Sequence, residues 1–132
     1  MKTRFWLSIR ILLIIGVLVL TAGCTEMADR MEEFAAAAEF HTPELTDIPD
    51  GEYLGTFRSG IVRVKVKVSM DSGRIRDIKI LRHFNGRGEA AEVIVDDILS
   101  AQSLNVDVVS GATYSSKVIL KAVELGLKKG SL

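Results

Sequence analysis

A single cysteine and two histidines among 132 residues remove several kinds of chemistry at the outset. Cys24 has no partner for an intramolecular disulfide, and with the well-separated His41 and His83 it cannot supply the ligands of a zinc cluster. No metal site is expected, and the fold has to hold by packing, for which a body of about a hundred residues is large enough. A surplus of one charge is lacking too, since 17 basic residues meet 17 acidic ones. The balance is uneven: Lys2, Arg4 and Arg10 precede Glu26, the first acid. Without the first 23 residues, 14 bases face 17 acids, a net of −3. A mildly acidic body with no basic patch argues against nucleic acid as a partner, whose affinity rests on clustered Lys and Arg meeting phosphates.

What is present begins with an address. Residues 1–10 are basic, Ile11 to Leu20 is an apolar run broken only by Gly16, and Thr21-Ala22-Gly23 supplies small residues before Cys24. That order is the layout of a secretory signal peptide over residues 1–23. The run Leu20-Thr21-Ala22-Gly23-Cys24 resembles a bacterial lipobox, which implies a lipid on Cys24. It departs from the pattern in holding Thr21, not Leu, three places before the Cys. The competing reading is an uncleaved membrane helix. Ile11 to Gly23 is 13 residues, short of the roughly 20 that span hydrocarbon. Either reading anchors the chain at the cell membrane with its body on the extracytoplasmic face, because the basic end stays inside.

Residues 24–50 read as a lipidated stalk and linker. Met27, Met31, Phe34 and Ala38 recur at helical spacing over Thr25 to Phe40, and Pro43 and Pro49 mark an extended segment after it. One folded unit is expected over residues 51–132, of class α+β: an antiparallel meander packed by two helices. The strands are Glu52 to Arg58, Ile61 to Met70 and Arg74 to Arg82, with turns at Ser59-Gly60 and Asp71-Ser72-Gly73. The second is the clearest, its valines 62, 64, 66 and 68 alternating with Arg63, Lys65 and Lys67. Ile75 is out of phase with Ile78 and Ile80, which predicts a bulge or a late strand start near Arg76-Asp77. After the loop Asn85-Gly86-Arg87-Gly88, a helix is expected over Glu89 to Gln102 with a stripe of Ala91, Ile94, Ile98 and Ala101. Asn105 to Val109 is extended. A last helix runs from about Ser115 to Lys129, with Val118, Ala122 and Leu125 toward the core and Gly130 as terminator.

The chemistry concentrates between the two helices, in Asp107-Val108-Val109-Ser110-Gly111-Ala112-Thr113-Tyr114-Ser115-Ser116. Small residues let a backbone approach a ligand closely, and Gly111 permits φ > 0. The N–H groups that open a helix lack intrahelical partners and lie at the positive end of its dipole, so the place suits a phosphate. Ser110, Thr113 and Ser115 offer hydroxyls. An ordinary capping loop, with Ser115 as cap and Thr113 in the turn, explains the same residues.

Asp107 to Thr113 also resembles the flavinylation motif Asp-x-x-Ser/Thr-Gly-Ala-Thr/Ser of FMN-binding domains. These occur in the flavin subunits of sodium-translocating NADH:quinone reductase and of Rnf complexes. Asp107, Ser110, Gly111, Ala112 and Thr113 match every specified place, and the likeness extends over about Asp50 to Leu127. It includes Asp50-Gly51-Glu52-Tyr53-Leu54-Gly55, Gly73-Arg74-Ile75-Arg76-Asp77-Ile78 and Leu81-Arg82-His83. The resemblance implies FMN as cofactor, joined by a phosphoester to the Thr113 hydroxyl by a separate flavin transferase. Asp107 then serves transferase recognition or metal binding during attachment, or simply an Asx-type turn. His83 is a surface residue at a strand end, or lies near the isoalloxazine edge with Asn85 and Gly86. Tyr114 stacks on the ring or fills the seam between helix and sheet.

An electron carrier serving membrane redox partners fits these features best. A small-molecule reductase needs a substrate pocket and an acid/base pair, neither evident in so short a chain. A binding or scaffold lipoprotein that is never flavinylated is the third reading.

Overall fold

A computed structural model of the chain describes residues 10–14, 26, 28–84 and 88–132. Most of the leader, the lipobox with Cys24, Met27 and the loop residues Asn85, Gly86 and Arg87 lie outside the described residues.

Three strands, β1 (Gly51–Ser59), β2 (Val62–Asp71) and β3 (Arg74–Phe84), form an antiparallel sheet in the order β1-β2-β3. The valine alternation decides its two faces. Val62, Val64, Val66, Val68 and Met70 are buried, while Arg63 and Lys65 between them are exposed. The β1–β2 turn falls at Gly60-Ile61, one residue later than expected, because Ser59 pairs with Val62. On β3 the expected bulge is present: Ser69 pairs with Asp77 but Met70 with Ile75, so Arg76 is the extra residue and both Ile75 and Ile78 turn inward. A second irregularity leaves Leu81 unpaired between Ile80 and Arg82. It carries β3 two residues past the expected end and places His83 inside the strand, opposite Val64.

Two helices cover the valine face, as the α+β reading requires. The first begins as a 3₁₀ turn, Gly88–Val93, and becomes α2 (Ile94–Ala101) only afterwards. Ala91, Ile94 and Ile98 are buried as the stripe predicts, whereas Ala101 is exposed and Leu104 takes its place in the core. Gln102 ends α2 in the left-handed conformation (φ 51°). Its amide accepts the Ile75 N–H at 2.8 Å and donates to the Ile75 carbonyl at 2.9 Å. One side chain thus satisfies both backbone groups of the bulged edge strand.

The second helix, α3 (Thr113–Gly130), starts two residues before its expected beginning. It lies close on β1 because Gly55 has no side chain; a Cβ there would overlap the Ala122 carbonyl oxygen. Leu125 is only half-buried, and Val118, Ile119, Ala122, Val123 and Leu127 form the core face instead. Glu124 is buried on α3 between Lys121 and Lys128, each at 2.6 Å. Burial alone would raise its carboxyl, but the two ammonium groups together hold it below the usual carboxylate range.

The segment before the sheet does not stand clear of the domain. Helix α1 (28–37) sets Phe34 against Phe57 and Tyr114, and Lys117 Nζ donates to the Ala35 carbonyl. Beyond it, Thr42 Oγ1 accepts the Leu104 N–H at 2.8 Å and Ile48 is buried. The expected spacer is therefore partly a strap, held by burial of its few apolar residues. No helix among the described residues is long and apolar enough to cross a membrane.

Candidate functional site

Leu104 is buried and Asn105 to Val109 leads from it, without strand pairing, into a tight turn. The Ala112 N–H bonds the Val109 carbonyl at 3.0 Å, and Gly111 between them has φ 78°. A β-turn with its third residue in that region favours glycine strongly, which is the physical reason for Gly111. No atom would lie within 4 Å of a Cβ on Gly111, so the turn faces open space.

The first intrahelical bond of α3 runs from the Ser116 N–H to the Ala112 carbonyl at 2.9 Å. Ala112 is therefore the N-cap, and Thr113, Tyr114 and Ser115 are the first three helical residues. Ser115 is not the cap; it sits buried in the first turn. Ala112 has no side chain able to cap, and no cap hydrogen bond is made. The N–H groups of the first turn are left for another acceptor, at the positive end of an 18-residue helix. Ser110, Gly111 and Thr113 are exposed around that point, with Ala112 buried beneath them. An uncapped helix start, an open glycine turn and an exposed threonine hydroxyl are what a phosphate-bearing cofactor requires there.

The residue that holds the loop in this shape is Ser116, fully buried. Its hydroxyl accepts the Val109 N–H at 3.1 Å and donates to the Ala112 carbonyl at 3.0 Å. The sequence reading singled out the hydroxyls of Ser110, Thr113 and Ser115, of which Ser115 is itself buried, and passed over this one, because only the packing of α3 shows which hydroxyl faces the loop.

The outlying candidates fall in different places. Asp107 is exposed, and its carboxylate makes no hydrogen bond among the described residues, so an Asx-type turn is not its role. The His83 side chain is 2 % exposed, on the helix-covered side of the sheet, with Nδ1 2.9 Å from a Glu92 carboxylate oxygen. It is not the surface residue that a strand end suggested. Tyr114 fills the seam: its ring meets Phe34 edge-on at 5.8 Å, and its buried hydroxyl makes no hydrogen bond among the described residues. Among the described residues no cluster of three or more His, Cys, Asp or Glu side chains could hold a metal ion.

The family model for the FMN-binding domain matches residues 58–128, more than half of the chain. A segment of NADH:acrylate oxidoreductase from Vibrio harveyi is 36% identical over 87 residues, covering 61% of this chain and 9% of that protein. An uncharacterized protein of Treponema pallidum (strain Nichols) is 32% identical over 81 residues, covering 59% of this chain and 22% of its own length. The chain thus spans about a tenth and about a fifth of these two relatives. With the family pattern running from the end of β1 to the end of α3, the chain belongs to the FMN-binding domain family, and FMN is its cofactor.

Proposed function

We propose that this chain carries FMN covalently on Thr113 and passes electrons between partner proteins at the outer face of a membrane to which it is anchored. The single observation behind the site is Thr113 itself: an exposed hydroxyl on the first residue of α3, beside the open Gly111 turn, where no side chain caps the helix. Attachment exchanges the Thr113 O–H bond for an O–P bond. An activated flavin phosphate loses its leaving group, and a base of the transferase takes the proton.

FMN supplies one- and two-electron chemistry when bound; the chain's own residues tether and orient it. Gly111 leaves the approach open, Ser116 fixes the loop, and the first-turn N–H groups of α3 stabilise the single negative charge that a phosphodiester retains. Ser110 and Ser115 flank the attachment point, and Asp107, exposed ahead of the turn, is available to the transferase. His83, opposite Val64 on the helix-covered side of the sheet, lies near the isoalloxazine edge in this reading.

A carrier fits better than a self-sufficient reductase. The similar segment is 9% of a protein named for NADH-dependent acrylate reduction, as expected of one module within a longer electron path. Coexpression with a flavin transferase, followed by denaturing electrophoresis, tests the assignment. Flavin fluorescence should travel with the wild-type band and vanish from Thr113→Ala, which should fold normally. Fluorescence persisting on that variant, or absent from wild type, sinks the covalent reading.

A further inference from the structure

The net charge of the chain conceals a separation. Residues 24–50 hold eight acids against one base, whereas residues 51–132 hold thirteen bases against nine acids. The expectation of a body with no basic patch is therefore corrected by the fold, which gathers cations on the sheet face turned away from the helices.

That face is not uniform. At one end all the cations but Arg74 meet a carboxylate among the described residues: Lys67 meets Glu52 at 2.7 Å, Arg76 meets Asp71 at 2.6 Å and Lys79 lies 3.9 Å from Asp77. At the other end Arg58, Arg63, Lys65 and Arg82 have no carboxylate partner among the described residues. They stand directly across from one another, Arg58 opposite Arg63 and Lys65 opposite Arg82. Like charges in cross-strand pairs destabilise a sheet, so this arrangement costs the fold something that an external anion would offset. Arg58, Arg63 and Arg82 rim an open cavity of about 480 Å³ whose apolar walls, Ile61 and Phe84, are 57% and 65% exposed.

This end of the sheet is also the flavin end. Gly60, between Arg58 and Ile61, lies against Tyr114, the neighbour of Thr113; a Cβ on Gly60 would stand 3.3 Å from the Tyr114 hydroxyl. We infer that the Arg58–Arg63–Arg82 face is the docking surface for an acidic electron-transfer protein. Arginine and exposed aromatic residues together are the composition of a protein-binding patch. Complementary charge steers a brief encounter of the kind redox partners make. A negatively charged bilayer fits less well. A flat headgroup surface does not fill the cavity that the three arginines rim, whereas a protruding carboxylate side chain of a protein can.

The inference rests on the carrier reading, but its test does not require bound flavin. Dye-labelled acidic flavodoxin is titrated with the full chain in neutral detergent, as wild type, as Thr113→Ala and as Arg58→Gln/Arg63→Gln/Arg82→Gln. Wild type and Thr113→Ala should both bind, weakening about tenfold or more with added salt. The triple variant should lose a similar factor. It should also melt no lower than wild type, because like-charge pairs are relieved, and Arg76→Gln should bind as wild type does. Equal binding by the triple variant, or none by wild type, overturns the inference. So does uptake on phosphatidylglycerol vesicles that depends on the three arginines while flavodoxin binding does not; the face then meets lipid. Flavin missing from Thr113 would count against the carrier alone, since docking is read separately.

Discussion

Ser116 Oγ stands 3.1 Å from the Val109 nitrogen and 3.0 Å from the Ala112 oxygen, so one buried hydroxyl ties the turn before α3 to the first turn of the helix. The shape that exposes Thr113 therefore depends on a residue three places beyond it. Removing the hydroxyl leaves the Val109 N–H unsatisfied in a part-buried place, at a cost of about 1–3 kcal/mol. Ser116→Ala should lower the melting temperature, by roughly 4–8 °C for each kcal/mol in a domain of this size. Its flavin occupancy should fall below that of wild type under limiting transferase. An unchanged melt would show that the hydroxyl does not hold the loop.

Gly55 offers a test of the layer spacing. A Cβ there would meet the Ala122 carbonyl and the Gly126 nitrogen, and neither can retreat without moving α3. Gly55→Ala should cost at least about 1–3 kcal/mol, the usual range for overpacking a core. Urea unfolding should show the midpoint fall with little change in slope. Gly111→Ala is the contrast: space is free there, so only the strain of φ 78° is felt.

Acid stability should report on Glu124. Its carboxyl is held below its ordinary 4.5, against the pull of burial, by Lys121 and Lys128. A carboxylate with a depressed folded-state value stabilises the fold above its unfolded value and loses that contribution as pH falls through the folded one. Stability should thus decline with acid below about pH 4.5, the ordinary value of this carboxyl. Glu124→Gln should be less stable than wild type at pH 7, with the gap closing in acid. Asp71, lowered by its hydrogen bonds from Arg76 and Ser72, titrates in the same direction from 3.8 and leaves a residual slope in the variant. A gap constant from pH 7 to pH 3 would contradict the ion-pair account.

The proposed lipid anchor on Cys24 is tested by fractionation. Cys24→Ser should abolish lipid labelling and release the mature body from the membrane fraction. Retention at unprocessed mass would favour an uncleaved helix, with Arg10 snorkelling to the headgroups.

Two features were legible in the sequence because each is a local periodicity or a local steric demand. Val62 to Met70 is a strand because alternate residues are apolar, and Gly111 is required by a turn that only small residues permit. The bulge at Arg76 was legible for the same reason, as a break in phase between Ile75 and Ile78. The start of α3 was not. Thr113 is helical through the bond from Ser116 to Ala112, and no propensity distinguishes that start from one two residues later.

Other properties belong to tertiary structure alone. Gln102 became the partner of Ile75, 27 residues away, only when α2 packed beside the open edge of β3. The average charge near neutrality gave no hint of a cationic face, because eight of the 17 acids that cancel the bases in a sum lie in residues 24–50, outside the sheet, while strand pairing gathers the bases on one face. Sequence by itself determined the sheet, the anchor-like leader and the Thr113 motif, each set by neighbours within a few residues. Tertiary structure decided that Ser116 holds the motif and that His83 is inside. It also brought Arg58, Arg63, Lys65 and Arg82, which have no carboxylate partner among the described residues, to one end of the sheet, since those contacts join residues that chain distance keeps apart.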